Sequence, residues 1–297
     1  MGEKIQMLVF QKIILKYIIF IIPFLIPFPV PAASWWSAEK VEESKTVAEG
    51  IRYQRILFET VFNEPVRAHI VSVTASGQYI FGVLGSYGAL FTPTQFSRSS
   101  NALVTINGSY FSENPTRALG MIMAHSRILY PPPANKLYHG TVGFSARDVF
   151  FDFITPKEVS AGRIKTEKNG WHECHAALGS GPMLIHQSRA LIQSATEGFN
   201  LIQRAPRTAI GKRKDGTTLL LVIDGRQPGW SAGVTLDELT ELFLSRNASD
   251  ALNLDGGGSS TLVINETLIN RPSDGSIHGN PGVERPVANV VALFRRE

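Results

Sequence analysis

The run Asn253-Leu254-Asp255-Gly256-Gly257-Gly258-Ser259-Ser260-Thr261 sets a carboxylate, three successive glycines and three hydroxyls between two apolar segments, Ala251-Leu252 and Leu262-Val263-Ile264. Three glycines in a row weaken a strand through backbone entropy. They suit a backbone that takes unusual dihedrals or lies against a ligand. Successive N–H groups at Gly256, Gly257 and Gly258 make an anion-binding nest, and Ser259 and Ser260 can bond the same oxygens. Asp255 sets a carboxylate beside that anion. A glycine-rich hairpin turn would use the same residues structurally. No Gly-Lys-Ser/Thr follows, so this is not a nucleotide P-loop. Neither Ser259 nor Ser260 lies in a Gly-x-Ser-x-Gly elbow, which argues against serine hydrolase chemistry there.

A second carboxylate, Asp224, ends the apolar run Leu219-Leu220-Leu221-Val222-Ile223. Glycosyl transfer to water commonly uses two carboxylates, one protonating or orienting and one attacking or activating water. Asp-Gly is also a frequent turn starter, which is the structural alternative for both Asp224-Gly225 and Asp255-Gly256. Three arginines offer the planar fork that grips two phosphate oxygens at once. Arg207 opens Arg207-Thr208-Ala209-Ile210-Gly211, Arg271 follows Asn270, and Arg285 follows Glu284. Asn107, closing Ala102–Ile106, and Asn289, opening the last apolar run, carry amides that can read sugar hydroxyls or stay structural.

These groups need elements to hold them. Thr235 supplies a hydroxyl cap and Glu238, three residues on, completes a capping box. Leu236, Leu239, Leu242 and Phe243 then fall on one face of a helix that runs to about Arg246 and ends at Asn247. The strand at 218–224, this helix and the strand at 251–254 form a unit whose spacing suits a crossover between strands. If the two strands are neighbours, Asp224 and Asp255 emerge at one sheet edge. Short strand-like runs with turn punctuation fill residues 53–80 and 119–153, with a short helix from about Phe96 to Asn101. Val287–Phe294 is apolar on both sides, so it reads as a central strand. The expected fold is α+β: a strand-dominated single domain with a mixed central sheet and few helices.

Taken in order, Asn107-Gly108-Ser109-Tyr110-Phe111, Arg207-Thr208-Ala209-Ile210-Gly211, Asp224-Gly225-Arg226, Asp255-Gly256-Gly257-Gly258-Ser259-Ser260, Asn270-Arg271-Pro272-Ser273 and Glu284-Arg285-Pro286-Val287-Ala288-Asn289 resemble the phosphodiester glycosidase family. Single motifs are weak signals; the ordered set is strong. The resemblance runs from about Ile51 to the C-terminus. It implies hydrolysis of a sugar-1-phosphodiester at the anomeric C–O bond, as in removal of N-acetylglucosamine from a mannose-6-phosphate diester. It also implies a bacterial setting in envelope or extracellular polysaccharide metabolism. The implied site is Asp255 and Asp224 as catalytic groups, with Arg207, Asn107, Gly256, Gly257, Gly258, Ser259, Arg285 and Asn289 on the substrate. Which aspartate attacks stays open. A non-catalytic polysaccharide-binding role and a metal-dependent phosphodiesterase are the rival readings.

The 297 residues are 43% hydrophobic and 18% charged, a globular composition. Lys4, Lys12 and Lys16 precede an apolar run from Tyr17 to Phe28, and Val30-Pro31-Ala32 supplies small residues for cleavage. This predicts a signal peptide over 1–32, a linker over 33–50 and the glycosidase domain over 51–297, with export to the periplasm or beyond. An uncleaved anchor is the alternative. Membrane contact is then transient, through the signal peptide only. Of the net charge of +4, the first 32 residues carry +2. No basic run remains to suggest nucleic acid. One cysteine, Cys174, excludes an internal disulfide framework. His172, Cys174 and His175 lack the paired spacing of a zinc site, so Cys174 reads as a buried small hydrophobe. Hard oxygens at the Asp/Asn edge suit Ca²⁺ or Mg²⁺, although no dedicated ligand loop is visible.

Overall fold

Residues 218–223 are buried on both sides, and their alternation sets the layering. Leu219, Leu221 and Ile223 join one apolar cluster, while Leu220 and Val222 join another. A strand of that kind must lie inside a sheet covered on both faces. In the computed structural model that sheet is the largest of three. The structure describes residues 36, 38–59, 64–85, 88–113, 116–166, 168, 170–191, 202–274 and 281–296. The expected signal peptide over 1–32 lies outside them.

The first sheet has eight strands, in spatial order β1 (Glu39–Ala48), β2 (Ile51–Phe58), β3 (Val66–Val73), β18 (Thr218–Ile223), β17 (Arg207–Arg213), β19 (Ala248–Asn253), β15 (Met183–His186) and β16 (Arg189–Ala190). The second runs β21 (Thr267–Leu268), β20 (Leu262–Ile264), β5 (Val104–Asn107), β22 (Asn289–Arg295) and β4 (Tyr79–Gly85). The third runs β11 (Val149–Phe153), β10 (Gly140–Phe144), β14 (Ala176–Ser180), β8 (Ile122–Ala124) and β9 (Arg127–Tyr130). Two short hairpins complete the set, β6 (Phe111–Glu113) with β7 (Thr116–Ala118) and β12 (Val159–Ser160) with β13 (Arg163–Ile164). One apolar core lies among the three sheets, drawing on Ile210, Leu220, Leu252, Val104, Ile106, Val291, Val142 and Phe144.

Two α-helices occur among the described residues. Helix α1 (Pro93–Ser100) starts three residues before the sequence suggests, because Thr92 and Gln95 form its capping box. Helix α2 (Leu236–Ser245) starts at the expected box of Thr235 and Glu238, and Asn247 follows its end at φ +60°. Leu236, Leu239, Leu242 and Phe243 pack on the far face of the first sheet. The fold is thus strand-dominated with few helices, and β22 is central in its sheet, between β5 and β4.

Two expectations are corrected. The central sheet is not mixed: every strand pairing among the described residues is antiparallel. The strands flanking α2 do run parallel, but β17 lies between them and pairs with both. Residues 33–50 are not a linker throughout, because Glu39–Ala48 forms the edge strand β1. Its charges are tied across the sheet, with Glu42 accepting from Arg55 at 2.9 Å and from Arg67 at 3.0 Å. A charged edge strand hides its period from hydrophobic patterning.

Candidate active site

Because β17 runs against both neighbours, its first residue and the last residues of β18 and β19 share one sheet edge. Arg207 sits opposite Ile223, and Ala209 opposite Asn253. Arg207, Asp224 and Asp255 therefore emerge together. From Asp255 the chain leaves the first sheet through a short 3₁₀ turn, Gly257–Ser259, and enters β20 of the second. Gly257 takes φ +62°, a conformation that favours glycine. Gly258 has its own reason: a Cβ there would stand 2.4 Å from Asp274 Oδ1 and 2.8 Å from Arg285 Nη2.

Two buried asparagines clamp the turn. Asn107 donates to the Asp255 carbonyl at 2.6 Å, and its Oδ1 accepts from Thr208 Oγ1 at 2.7 Å and Thr261 N at 3.1 Å. Asn270 donates to the Ser260 carbonyl at 3.0 Å and accepts from Leu262 N at 2.7 Å.

Asp255 and the three glycines line a cavity of about 290 Å³ together with Arg207, Arg226, Arg285 and Tyr110. Burial pushes the Asp255 carboxyl up to about 6, against the pull of the Ser259 hydroxyl, Arg285 and the Gly256 N–H. Arg207 is 9% exposed. It donates to the Val234 carbonyl at 3.1 Å and the Gln203 carbonyl at 2.9 Å. Burial, and after it the like charge of Arg226, hold Arg207 below its ordinary pKa. Among the described residues the arginine ion pairs belong to Arg55, Arg67, Arg204, Arg246 and Arg285. Arg207 and Arg226 line the same cavity, and neither is in an ion pair among the described residues, so their like charges favour an anion there. Arg285 differs, since it is paired with Asp274 at 2.6 Å.

The other expected residues lie elsewhere. The Asp224 side chain is sealed from solvent and does not line the cavity. It accepts from His69 Nε2 at 3.3 Å, Trp230 Nε1 at 2.9 Å, Asn270 Nδ2 at 3.0 Å and Arg271 N at 3.0 Å. Burial alone would raise its pKa; the hydrogen bond and charge of His69, then Trp230 and Asn270, hold it below the usual carboxylate value. Asn107 is fully buried beneath the turn, and Asn289 is buried where its Oδ1 accepts from Ser109 N at 2.7 Å. Ser259 is buried behind Asp255. The Arg271 guanidinium lies over Trp230, 5.3 Å from the ring centroid, not in the cavity.

Tyr110, Arg226, Gln203 and Ala205 also line the cavity, and the first two stand in motifs of the sequence. Tyr110 comes from Asn107-Gly108-Ser109-Tyr110-Phe111. Its phenol accepts from Asn253 Nδ2 at 2.9 Å, and its ring packs 5.6 Å from that of Tyr138. Burial, then the charge of Asp255, raise its pKa, so it stays protonated. Arg226 follows Asp224-Gly225. Gly229-Trp230-Ser231-Ala232-Gly233 has the spelling of a nucleophile elbow, but Ser231 is fully buried and donates to the Asp224 carbonyl at 2.6 Å. Cys174 is buried against Trp171, and His175 bonds the Phe81 carbonyl at 2.8 Å. No three His, Cys, Asp or Glu side chains among the described residues converge as a metal-holding group.

Residues 100–294 match the phosphodiester glycosidase family. The chain is 28% identical over 204 residues to the SPbeta prophage-derived uncharacterized protein YomE of Bacillus subtilis (strain 168), covering 68% of this chain and 29% of that protein. It is 29% identical over 213 residues to the N-acetylglucosamine-1-phosphodiester alpha-N-acetylglucosaminidase of Bos taurus, covering 68% of this chain and 38% of the relative. It therefore spans well under half the length of these relatives. The catalytic domain of the zebrafish enzyme of the same name superposes with TM-score 0.68 at 18% identity, over 87% of this chain and 88% of that one. That last likeness is one of fold. This chain belongs to the phosphodiester glycosidase family.

Proposed function

We propose that the protein hydrolyses the anomeric C–O bond of a sugar-1-phosphodiester, with Asp255 acting at the anomeric carbon and Arg207 and Arg226 holding the phosphate. The observation that carries this reading is the pairing, in one cavity, of a carboxyl raised to about 6 with two arginines that are in no ion pair among the described residues. At neutral pH Asp255 is mostly ionised, as attack or activation of water requires. The electron pair of the broken bond passes to the phosphate oxygen. A phosphate monoester leaves readily as an anion, so charge stabilisation by the arginines takes over much of what an acid does for ordinary glycosides. Asp224 lies outside the cavity lining, so Asp255 carries the step and Asp224 supports its surroundings. The names of the curated relatives favour N-acetylglucosamine as the sugar.

Hydrolysis of an N-acetylglucosamine 1-phosphodiester in heavy-oxygen water tests the reading. Label in the sugar is expected. Label in the phosphate would instead make the protein a phosphodiesterase, and absence of any product would leave a binding role. Export to the envelope or beyond, in polysaccharide metabolism, belongs to the same reading. It rests on the basic, apolar and small-residue succession before Ser34. The protein from its native host should then begin near Ala33 or Ser34; an intact Met1 on cytoplasmic protein would refute export.

A further inference from the structure

We infer that Asp274 is a charge counterweight that determines specificity: it tunes the cavity to hold a phosphodiester monoanion and to release the phosphate monoester dianion. The inference rests on the reading above. Hydrolysis turns one negative charge on the phosphate into two, because the monoester gives up a second proton with a pKa of about 6. A site made only to attract phosphate would grip its product harder than its substrate.

The charged residues lining the cavity are Arg207, Arg226, Arg285 and Asp255. Asp274 adjoins that lining without being part of it. Its Oδ1 lies 2.4 Å from where a Cβ on the lining residue Gly258 would stand, and Arg285 Nη2 lies 2.8 Å from the same point. Arg285 donates to this oxygen from Nε at 2.7 Å and from Nη2 at 2.6 Å. The Gly282 N–H, bonded to the Pro272 carbonyl at 2.9 Å, ties together the two segments that carry the pair.

Three arginines set against Asp255 alone leave two net positive charges, which match a dianion. With Asp274 beside Arg285 one remains, which matches a monoanion. Because Asp274 stays out of the lining, it weakens the field without filling the space that a phosphate takes. The side chains of Arg285 and Asp274 are 35% and 30% exposed, so water screens the pair and the effect is moderate. A role confined to holding Arg285 predicts something different. Loss of Asp274 would then loosen that guanidinium and weaken every phosphate ligand. A counterweight predicts tighter binding, with a gain that grows with the charge of the ligand.

Methyl phosphate and dimethyl phosphate differ by one charge at about pH 7.5, and calorimetric titration with each separates the two roles. In Asp274→Asn, methyl phosphate should bind about tenfold tighter and dimethyl phosphate about threefold tighter. Added salt should shrink both gains. Progress curves of diester hydrolysis should level off earlier than in wild type, as product accumulates. Asp274→Glu keeps the charge and should bind both probes as wild type does. Asp274→Ser replaces Asp274→Asn where thermal unfolding shows the latter misfolded. Unchanged or weaker methyl phosphate binding in the folded neutral variant overturns the counterweight and leaves the glycosidase reading standing. Tighter methyl phosphate binding in a protein that hydrolyses no diester bears out the counterweight and overturns the glycosidase reading.

Discussion

Asp224 and Asp255 follow two strands that run the same way, each stands before a glycine, and one strand separates them. Their chemical states are opposite. Asp224 meets four donors from three segments and stays ionised below the usual range. Asp255 meets few donors, is only partly exposed, and is pushed up to about 6 by that burial. Desolvation is the largest influence on both; hydrogen bonding decides which way the balance falls. A carboxylate that is fully satisfied has nothing left to offer a substrate. One that is desolvated and half-satisfied keeps reactivity in reserve.

The widest gap between the two should appear on removing Asp224. Asp224→Ala leaves the Trp230, Asn270 and Arg271 donors buried without an acceptor, and should cost about 3–5 kcal/mol in denaturant unfolding. The folded pKa lies below the unfolded value, so this stability is present above about pH 4 and fades as pH falls through the lower folded value. A variant that unfolds like wild type but loses turnover would return Asp224 to catalysis.

Asp255→Asn should behave in reverse. Its rate should fall at least about 10²-fold. Its stability at pH 8 should rise, by on the order of 1–3 kcal/mol, because a carboxylate raised to about 6 opposes folding when ionised. That gain should vanish on acidification through about pH 6 to pH 4, where wild-type Asp255 protonates. The same group should give wild-type kcat/KM an acid limb near pH 6. Near-normal turnover in Asp255→Asn would reduce the residue to a turn former.

The arginines extend the contrast at smaller scale. Arg207→Lys replaces a bidentate fork with a point charge. It should lose roughly tenfold to a hundredfold in kcat/KM, with weaker inhibition by inorganic phosphate. Arg271→Lys changes a side chain that rests on Trp230 outside the cavity, so its effect should stay within about threefold. Equal, small effects at both positions would show that the anion site is misplaced.

The sequence made Asp255, the glycines and Arg207 legible because local chemistry announces them: Gly257 needs a left-handed backbone, and the capping box fixes α2. It placed both aspartates at one edge, since the crossover through α2 constrains strand direction. It could not show that β17 would enter between them, because pairing with β18 and β19 depends on partners distant in the chain. Nor could it tell which aspartate would be sealed. That depends on His69 and Asn270, which lie 155 and 46 residues from Asp224. Tyr110 and Arg226 were in view within their motifs, but whether a side chain turns toward a cavity or into the core is a tertiary fact. Asn107 shows the converse, an amide suited to sugar hydroxyls that the fold uses to hold the turn.

The Asn107 clamp also has a consequence in time. Its bonds join residues 148 and 101 positions apart, from β5 in the second sheet to the Asp255 turn and to Thr208 in the first. Contacts of such separation form late, after the loops between them have closed. During synthesis Asn107 must therefore wait for 101 residues to follow it before Thr208 exists, and 148 before Asp255 does. The Asp255 turn should thus be among the last parts of the fold to be locked in place.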